Sequence, residues 1–267
     1  MRLSVITINY NNVEGFKRTA ESVLSQVWKD FEWIIIDGGS TDGFTEYIQE
    51  LSCTSKHLTY WCSEPDKGVY NAINKGISHC SGEYVSCMNS GDTFFDDHTI
   101  QRIFSTEHHA DVLYGDWLQV YSDHSSMQRF PSPFGIHDFW AHNICHQAMF
   151  VKTSVLRTDG FDESFRLLAD YKRWIELVLR GAEFEYLGVP VCRYNMNGIS
   201  TNASQLLCEE QKRARQAFPP AVVNTVQHLW HYENFHQVQR MEALLEKRGI
   251  VAFVTKIVLK VLTRLFL

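Results

Sequence analysis

Residues 3–8 (LSVITI) are a largely apolar, β-branched run, ended by the polar stretch Asn9-Tyr10-Asn11-Asn12. A short run of this kind is expected of a strand buried on both faces. From Gly15 to Val27 the period changes, with Phe16, Ala20, Val23, Leu24 and Val27 recurring at helical spacing. Trp33–Ile36 is a second buried run, closed by Asp37-Gly38-Gly39. Ser40, Thr41 and Asp42 are N-cap residue types before a helix through Tyr47 and Leu51. Leu58–Cys62 predicts a third strand and Tyr84–Met88 a fourth, with a helix between them over Val69–Cys80. Strand and helix in repeated alternation predict parallel βαβ units with helices on both faces. Ligands bind such sheets beyond the carboxyl ends of the strands. There the chain carries Asn9-Tyr10-Asn11, Asp37 and Asp92, which should converge on one crevice.

The second half is less regular. Val112–Tyr114, Ala148–Val151 and Glu185–Tyr194 carry strand patterns, and Ala169–Arg180 and 203–217 helical ones. Pro219-Pro220 marks a boundary. Hydrophobic residues at 45% of the 267 exclude a disordered chain, and a net charge of -6 argues against a general nucleic-acid binder. The seven cysteines are odd in number with no CxxC pair, as expected of free thiols in a reducing compartment. The N-terminus shows no signal-peptide pattern, so a cytoplasmic location is expected. His137, His142 and His146 have no metal-site spacing.

Three places carry chemistry. Asp37 before two glycines is either a turn residue or a carboxylate for a base or ribose, since glycine lets a ligand approach the backbone. Asp92 in Met88-Asn89-Ser90-Gly91-Asp92 is either a metal ligand completed by substrate phosphates or a cap for the helix Thr99–Phe104. Asp96 and Asp97 are better placed for capping. In the segment 63–76, Asn71, Asn74 and Lys75 share a polar helix face, solvated or functional.

These segments, taken in order, resemble the inverting family 2 glycosyltransferases. The matching strings are SVITINYNN, EWIIIDGGSTDG at 32–43, SEPDKGVYNAINKG at 63–76 and SGEYVSCMNSGD at 81–92. HQAMF at 146–150, FDESFRLLADYKRW at 161–174 and NGIST at 197–201 follow. The resemblance implies an α/β GT-A fold, Rossmann-like, with a mainly parallel central sheet flanked by helices. It implies a glycosyltransferase domain over 1–218, with a nucleotide-sugar half at 1–95 and an acceptor half at 96–218, and a helical C-terminal extension at 219–267. Asn9, Tyr10 and Asp37 match positions holding a nucleotide, usually a uridine. Asp66, Asn71, Asn74 and Lys75 match a motif lining the donor cleft, and Ser200 lies in a loop near the diphosphate. His146 and Gln147 match the acceptor side, Asp170 the general base, and Asp92 a ligand of a divalent metal, Mn or Mg. The chain departs from the pattern at three points. Asp37-Gly38 stands where many relatives have two acids, Asn89-Ser90-Gly91-Asp92 where they often have three, and Ala169-Asp170 for Glu-Asp.

The implied reaction moves a sugar from a nucleotide-diphosphate donor, a UDP-sugar, to an acceptor hydroxyl with inversion, in bacterial polysaccharide synthesis. The competing readings are a transferase-like protein that binds nucleotide or glycan without turnover, and a nucleotidyltransferase, for which no Gly-rich phosphate loop is found. In the tail 250–267, Lys256, Lys260 and Arg264 fall on one helical face amid apolar residues. A basic amphipathic helix of this kind is expected on an anionic membrane surface, beside a glycan or lipid-linked glycan acceptor. The same helix packed on the enzyme's core, or on a second subunit in a homodimer, is the other expectation.

Overall fold

The computed structural model describes residues 1–134, 136–196, 198 and 204–224. They fall into two units, Met1–Ala217 and Phe218–Leu267. In the second, Val222 and Val223 donate to the Pro219 carbonyl at 2.9 and 3.1 Å, as in a first helical turn. The amphipathic stretch 250–267 lies outside the described residues. Among the described residues no helix is long and apolar enough to cross a membrane.

The first unit opens with the expected alternation: β1 (Leu3–Asn9), α1 (Val13–Leu24), β2 (Phe31–Asp37), α2 (Phe44–Thr54), β3 (Leu58–Ser63), α3 (Val69–His79) and β4 (Tyr84–Cys87). It continues with β5 (Thr93–Phe94), α4 (Thr99–Phe104), β6 (Val112–Val120), β7 (Ser125–Gln128), α5 (Ile136–Ala141), β8 (Met149–Lys152), α6 (Thr153–Asp159), α7 (Ala169–Leu179), β9 (Phe184–Asn195) and α8 (Ser204–Arg215). One sheet runs β3-β2-β1-β4-β8-β6-β9-β5, with β7 paired to β6. The pairs β3–β2, β2–β1, β1–β4 and β6–β9 are parallel.

Every residue of β1 and β2 is buried, which is why both read as continuous runs rather than alternating ones. Buried polar groups inside them find partners across the sheet, Asn9 Oδ1 excepted, as when Trp33 Nε1 donates to Thr7 Oγ1 at 2.9 Å. Helix α3 lies close on β1 because Gly76 has no side chain; a Cβ there would fall 2.7 Å from Ile6 Cγ2.

The sheet changes direction at β8, which runs antiparallel to β4 with Val85 opposite Val151. The start of β8 therefore meets the carboxyl end of β4. The 3-10 turn His146–Ala148 that leads into β8 is delivered to the same sheet edge as Asn9, Asp37 and Asn89. One cap differs from expectation and one agrees with it. Helix α2 begins at Gly43 with no side-chain cap. Asp42 instead accepts from Val13 N at 2.7 Å, because the β2–α2 turn lies against the start of α1. Helix α4 is served by Asp96, whose Oδ1 accepts from His98 N at 2.9 Å, so Asp92 is not its cap.

Candidate active site

Asp37 is the hub of the first cluster. It is fully buried at the end of β2, and its two oxygens accept from five donors. These are Asn9 Nδ2 at 2.8 Å, Ser40 Oγ at 2.5 Å, Ser40 N at 2.8 Å, Gly39 N at 3.1 Å and Ser63 Oγ at 2.6 Å. One carboxylate thus ties together the ends of β1, β2 and β3. Its lone pairs are spent on the protein, so Asp37 shapes the crevice rather than offering a free acceptor in it. Asn9 is also buried, and its Oδ1 has no partner among the described residues. Tyr10 is the reverse case, 64% exposed at the lip.

The glycine after Asp37 has a steric reason. A Cβ at position 38 would lie 2.8 Å from Asp66 Oδ2 and 3.0 Å from the Tyr10 ring. A side chain at 38 would have to push the Asp66 carboxylate or the Tyr10 ring aside. Asp66 is oriented by Gly68 N, which donates to its Oδ1 at 2.8 Å. Bare backbone at Gly38, the Asp66 carboxylate and the Tyr10 ring therefore adjoin one another.

The rest of the 63–76 motif is directed elsewhere. Asn74 Nδ2 donates to the Phe161 carbonyl at 2.8 Å, and Phe161 N donates back to Asn74 Oδ1 at 2.8 Å. Both Asn71 and Asn74 donate to Glu163, each at 2.9 Å. Lys75 pairs with Glu64 at 2.7 Å on the surface. Thus Asn71 and Asn74 clamp the loop before α7, and Lys75 holds the strand-to-helix turn. Ser200 lies outside the described residues.

Asp92 is turned inward, 5% exposed. Its Oδ1 accepts from Asn195 N at 2.8 Å and its Oδ2 from Gln147 Nε2 at 2.7 Å. Burial raises its carboxyl to about 6, against the lowering effect of those two donors and of nearby His146. Divalent ions need oxygen ligands with lone pairs to spare. Each Asp92 oxygen accepts one hydrogen bond and keeps one lone-pair site, and among the described residues no group of three His, Cys, Asp or Glu could hold a metal. The described residues thus supply one carboxylate toward a divalent ion, which would take its remaining ligands from the donor's phosphates. Gln147, expected at the acceptor, is 2% exposed and serves as the donor that seats Asp92.

The second cluster joins α7, α3, β4 and the turn into β8. Asp170 lies in the first turn of α7, where the helix dipole favours a carboxylate. Its Oδ2 is 3.0 Å from His146 Nδ1. Its Oδ1 accepts from Tyr70 Oη at 3.0 Å and from Tyr171 N at 2.7 Å. Burial and the charge of Asp170 push the Tyr70 phenol well above its ordinary value, so it stays a proton donor in this bond. On its other side His146 Nε2 stands 3.0 Å from Asn89 Nδ2. The two clusters adjoin, since Asn12 Nδ2 donates to the Ser90 carbonyl at 3.0 Å.

Three of these residues were not singled out from the sequence. Tyr70 and Asn89 sit inside the quoted motifs but have no spacing that marks their contact with Asp170 and His146. Glu210 on α8 has no motif at all. Its buried carboxylate accepts from Arg166 N, Leu167 N and Leu168 N at 2.7, 2.8 and 2.9 Å. It thereby fixes the segment that starts α7 and places Asp170.

Residues 4–158 match the model of Glycosyl transferase family 2. An uncharacterized glycosyltransferase of Mycobacterium tuberculosis is 32% identical over 210 residues, 75% of this chain and 77% of that protein. A PGL/p-HBAD biosynthesis glycosyltransferase of Mycobacterium bovis is 28% identical over 205 residues, 74% of this chain and 78% of that one. Among solved structures, S. aureus TarS 1–349 in complex with UDP aligns at TM-score 0.61 and 18% identity over 73% of this chain. This chain spans 60% of that one. The mannosyltransferase PcManGT from Pyrobaculum calidifontis, in complex with GDP-Man and Mn2+, aligns at TM-score 0.65 and 17% identity, over 98% of this chain and 80% of that one. These likenesses give the fold as GT-A, the α/β architecture expected. With a family match over more than half its length, the chain belongs to glycosyl transferase family 2 and is a glycosyltransferase.

Proposed function

We propose that this enzyme transfers a sugar from a nucleoside-diphosphate donor, a UDP-sugar, to an acceptor hydroxyl with inversion at the anomeric carbon. One observation carries the reading: Asp170 is a buried carboxylate held by His146 and Tyr70 at the sheet edge where the nucleotide-side residues Asn9, Tyr10 and Asp66 also lie. Solved relatives of the same fold hold UDP, UDP-GlcNAc and GDP-Man, which supports a nucleotide-sugar donor.

In this reading the exposed Tyr10 ring is a platform for the base, with Asp66 beside it. The 1–95 half binds the donor, and the 96–218 half presents the acceptor hydroxyl on the face of the sugar opposite the diphosphate. Single displacement inverts the centre, so an α-linked donor gives a β-linked product. The attacking oxygen must lose its proton as it forms the new bond, and Asp170 supplies the negative charge that makes this favourable. The transition state carries oxocarbenium character, as in glycoside hydrolysis. The acceptor is a glycan or lipid-linked glycan in bacterial surface polysaccharide synthesis. Support for that, and for attachment to an anionic membrane, comes from the basic face Lys256, Lys260 and Arg264 of the tail.

The test is calorimetric binding of UDP, GDP and CDP, followed by transfer assays with the matching sugar nucleotides. Asp170→Asn should bind the donor as the parent does and transfer ~10²–10⁴-fold more slowly. Failure of all three nucleotides to bind, or full transfer by Asp170→Asn, overturns the proposal.

A further inference from the structure

The imidazole of His146 is wedged between two polar groups, with its side chain 11% exposed. Asn89 turns its Nδ2 toward Nε2 at 3.0 Å, and an amide nitrogen has only hydrogens to offer. The Asp170 carboxylate can only accept, so the ring proton lies on Nδ1 and is donated to Asp170 at 3.0 Å; with the Asn89 amide so placed, Nε2 of the neutral ring presents its lone pair. Asp170 meanwhile accepts from His146 and Tyr171 N and shares the single Tyr70 hydroxyl proton with the Leu167 carbonyl, and its side chain is 7% exposed. These bonds and its burial leave little of that carboxylate open to an acceptor hydroxyl. It reaches Nε2 by displacing one neutral hydrogen bond from Asn89.

We propose that His146 Nε2, rather than Asp170, is the atom that takes the proton from the acceptor hydroxyl. Asp170 is the positioning residue that holds the ring and its tautomer, and Asn89 occupies Nε2 until the acceptor arrives. The inference rests on the transfer reaction proposed above. In the step, the acceptor O–H bond breaks and its proton goes to Nε2. The oxygen pair forms the bond to the anomeric carbon as the carbon–oxygen bond to the diphosphate breaks, and that electron pair leaves with the diphosphate. The imidazolium is held by Asp170 and returns its proton to water after the products leave.

The same geometry accounts for the Asn89 departure. An acid at 89 would face Nε2 and set carboxylates at both ends of the ring. Between them the imidazole would stay protonated on both nitrogens and have no lone pair to accept a proton. Asparagine at 89 has the same shape without the charge.

Two measurements test this. In the first, His146→Ala is compared with the parent for UDP binding and for transfer. Binding is expected to stay within ~threefold while kcat falls ~10²–10⁴-fold. Added imidazole should restore the transfer rate of His146→Ala at least ~tenfold and leave Asp170→Asn unchanged, as a missing base is replaced and a missing carboxylate is not. Transfer by His146→Ala within ~tenfold of the parent, or no rescue by imidazole, overturns the dyad. A parent protein that binds no nucleotide overturns the transfer reading instead. The second measurement does not depend on activity. Nitrogen-15 NMR of the histidines at neutral pH should show His146 protonated on Nδ1 alone, and Asn89→Asp should add a proton on Nε2. A proton on Nε2 of the parent refutes the assignment.

Discussion

Replacing Glu210 should weaken the whole first unit although the residue lies outside every recognised motif. Its carboxylate, 4% exposed, accepts from three consecutive backbone N–H groups at Arg166, Leu167 and Leu168. Those groups precede α7 and have no helical partner, so Glu210 satisfies a chain end that the helix cannot. A hydrogen bond to a charged acceptor is worth ~1.5–3 kcal/mol, and an orphaned buried donor costs about as much. The bond to Leu168 is buried and the other two are partly buried, so water recovers some of the loss. Glu210→Ala should therefore cost ~3–5 kcal/mol, a large part of the ~5–15 kcal/mol that holds a domain folded. Glu210→Gln keeps one oxygen for Leu167 and Leu168 and loses the Arg166 bond, so it should cost ~1–2 kcal/mol. Urea unfolding followed by tryptophan fluorescence reads both, since Trp174 on α7 is buried. The Leu167 carbonyl also accepts from Tyr70 Oη at 2.8 Å, so a shift of this segment moves the partners of Asp170 together. Transfer by the folded Gln variant should thus fall more than its UDP affinity does. Both variants within ~0.5 kcal/mol of the parent, the range of ordinary surface changes, would refute the reasoning.

Two further outcomes follow from the site. The Asp92 carboxyl, at about 6 when folded against an ordinary 3.8, binds its proton more tightly in the native protein. Its contribution is therefore full below the ordinary value and is lost as pH rises through about 6, by ~3 kcal/mol at most. The parent should gain on Asp92→Asn in urea stability between neutral and mildly acid pH, and a flat difference across that window would contradict it. Tyr10→Ala should weaken UDP binding about five- to hundredfold, the value of ~1–3 kcal/mol for a base stacked on an aromatic ring, with no loss of stability because the ring is exposed. Unchanged affinity by calorimetry would remove Tyr10 from the donor site.

What could be read along the chain was whatever depends on neighbours in sequence. The buried strands β1 and β2, the helices between strands and the acid in the first turn of α7 follow from periodicity and end signals, because burial on a sheet or helix face repeats at short range. The order of the motifs carried the family and the GT-A fold. Which way each polar side chain turns was not legible, because contacts far apart in the chain decide it. Asp37 and Asp92 look alike as strand-end acids, yet each is turned inward, one by Asn9, Ser40 and Ser63 and the other by Gln147 and Asn195. Asp42 looks like a cap for α2 and instead accepts from the first N–H of α1, whose own cap is Asn12. Asn74 looks like a cleft residue and clasps Phe161. The antiparallel entry of β8 sets His146 between Asn89 and Asp170, residues 57 and 24 positions away. Sequence determined most of the elements, though not β5, β7, α5 or α6, and which polar groups sit at their ends. Tertiary structure alone decided which of those groups satisfy one another and which still face the crevice, because a buried polar atom takes whatever partner the packing brings within hydrogen-bond reach.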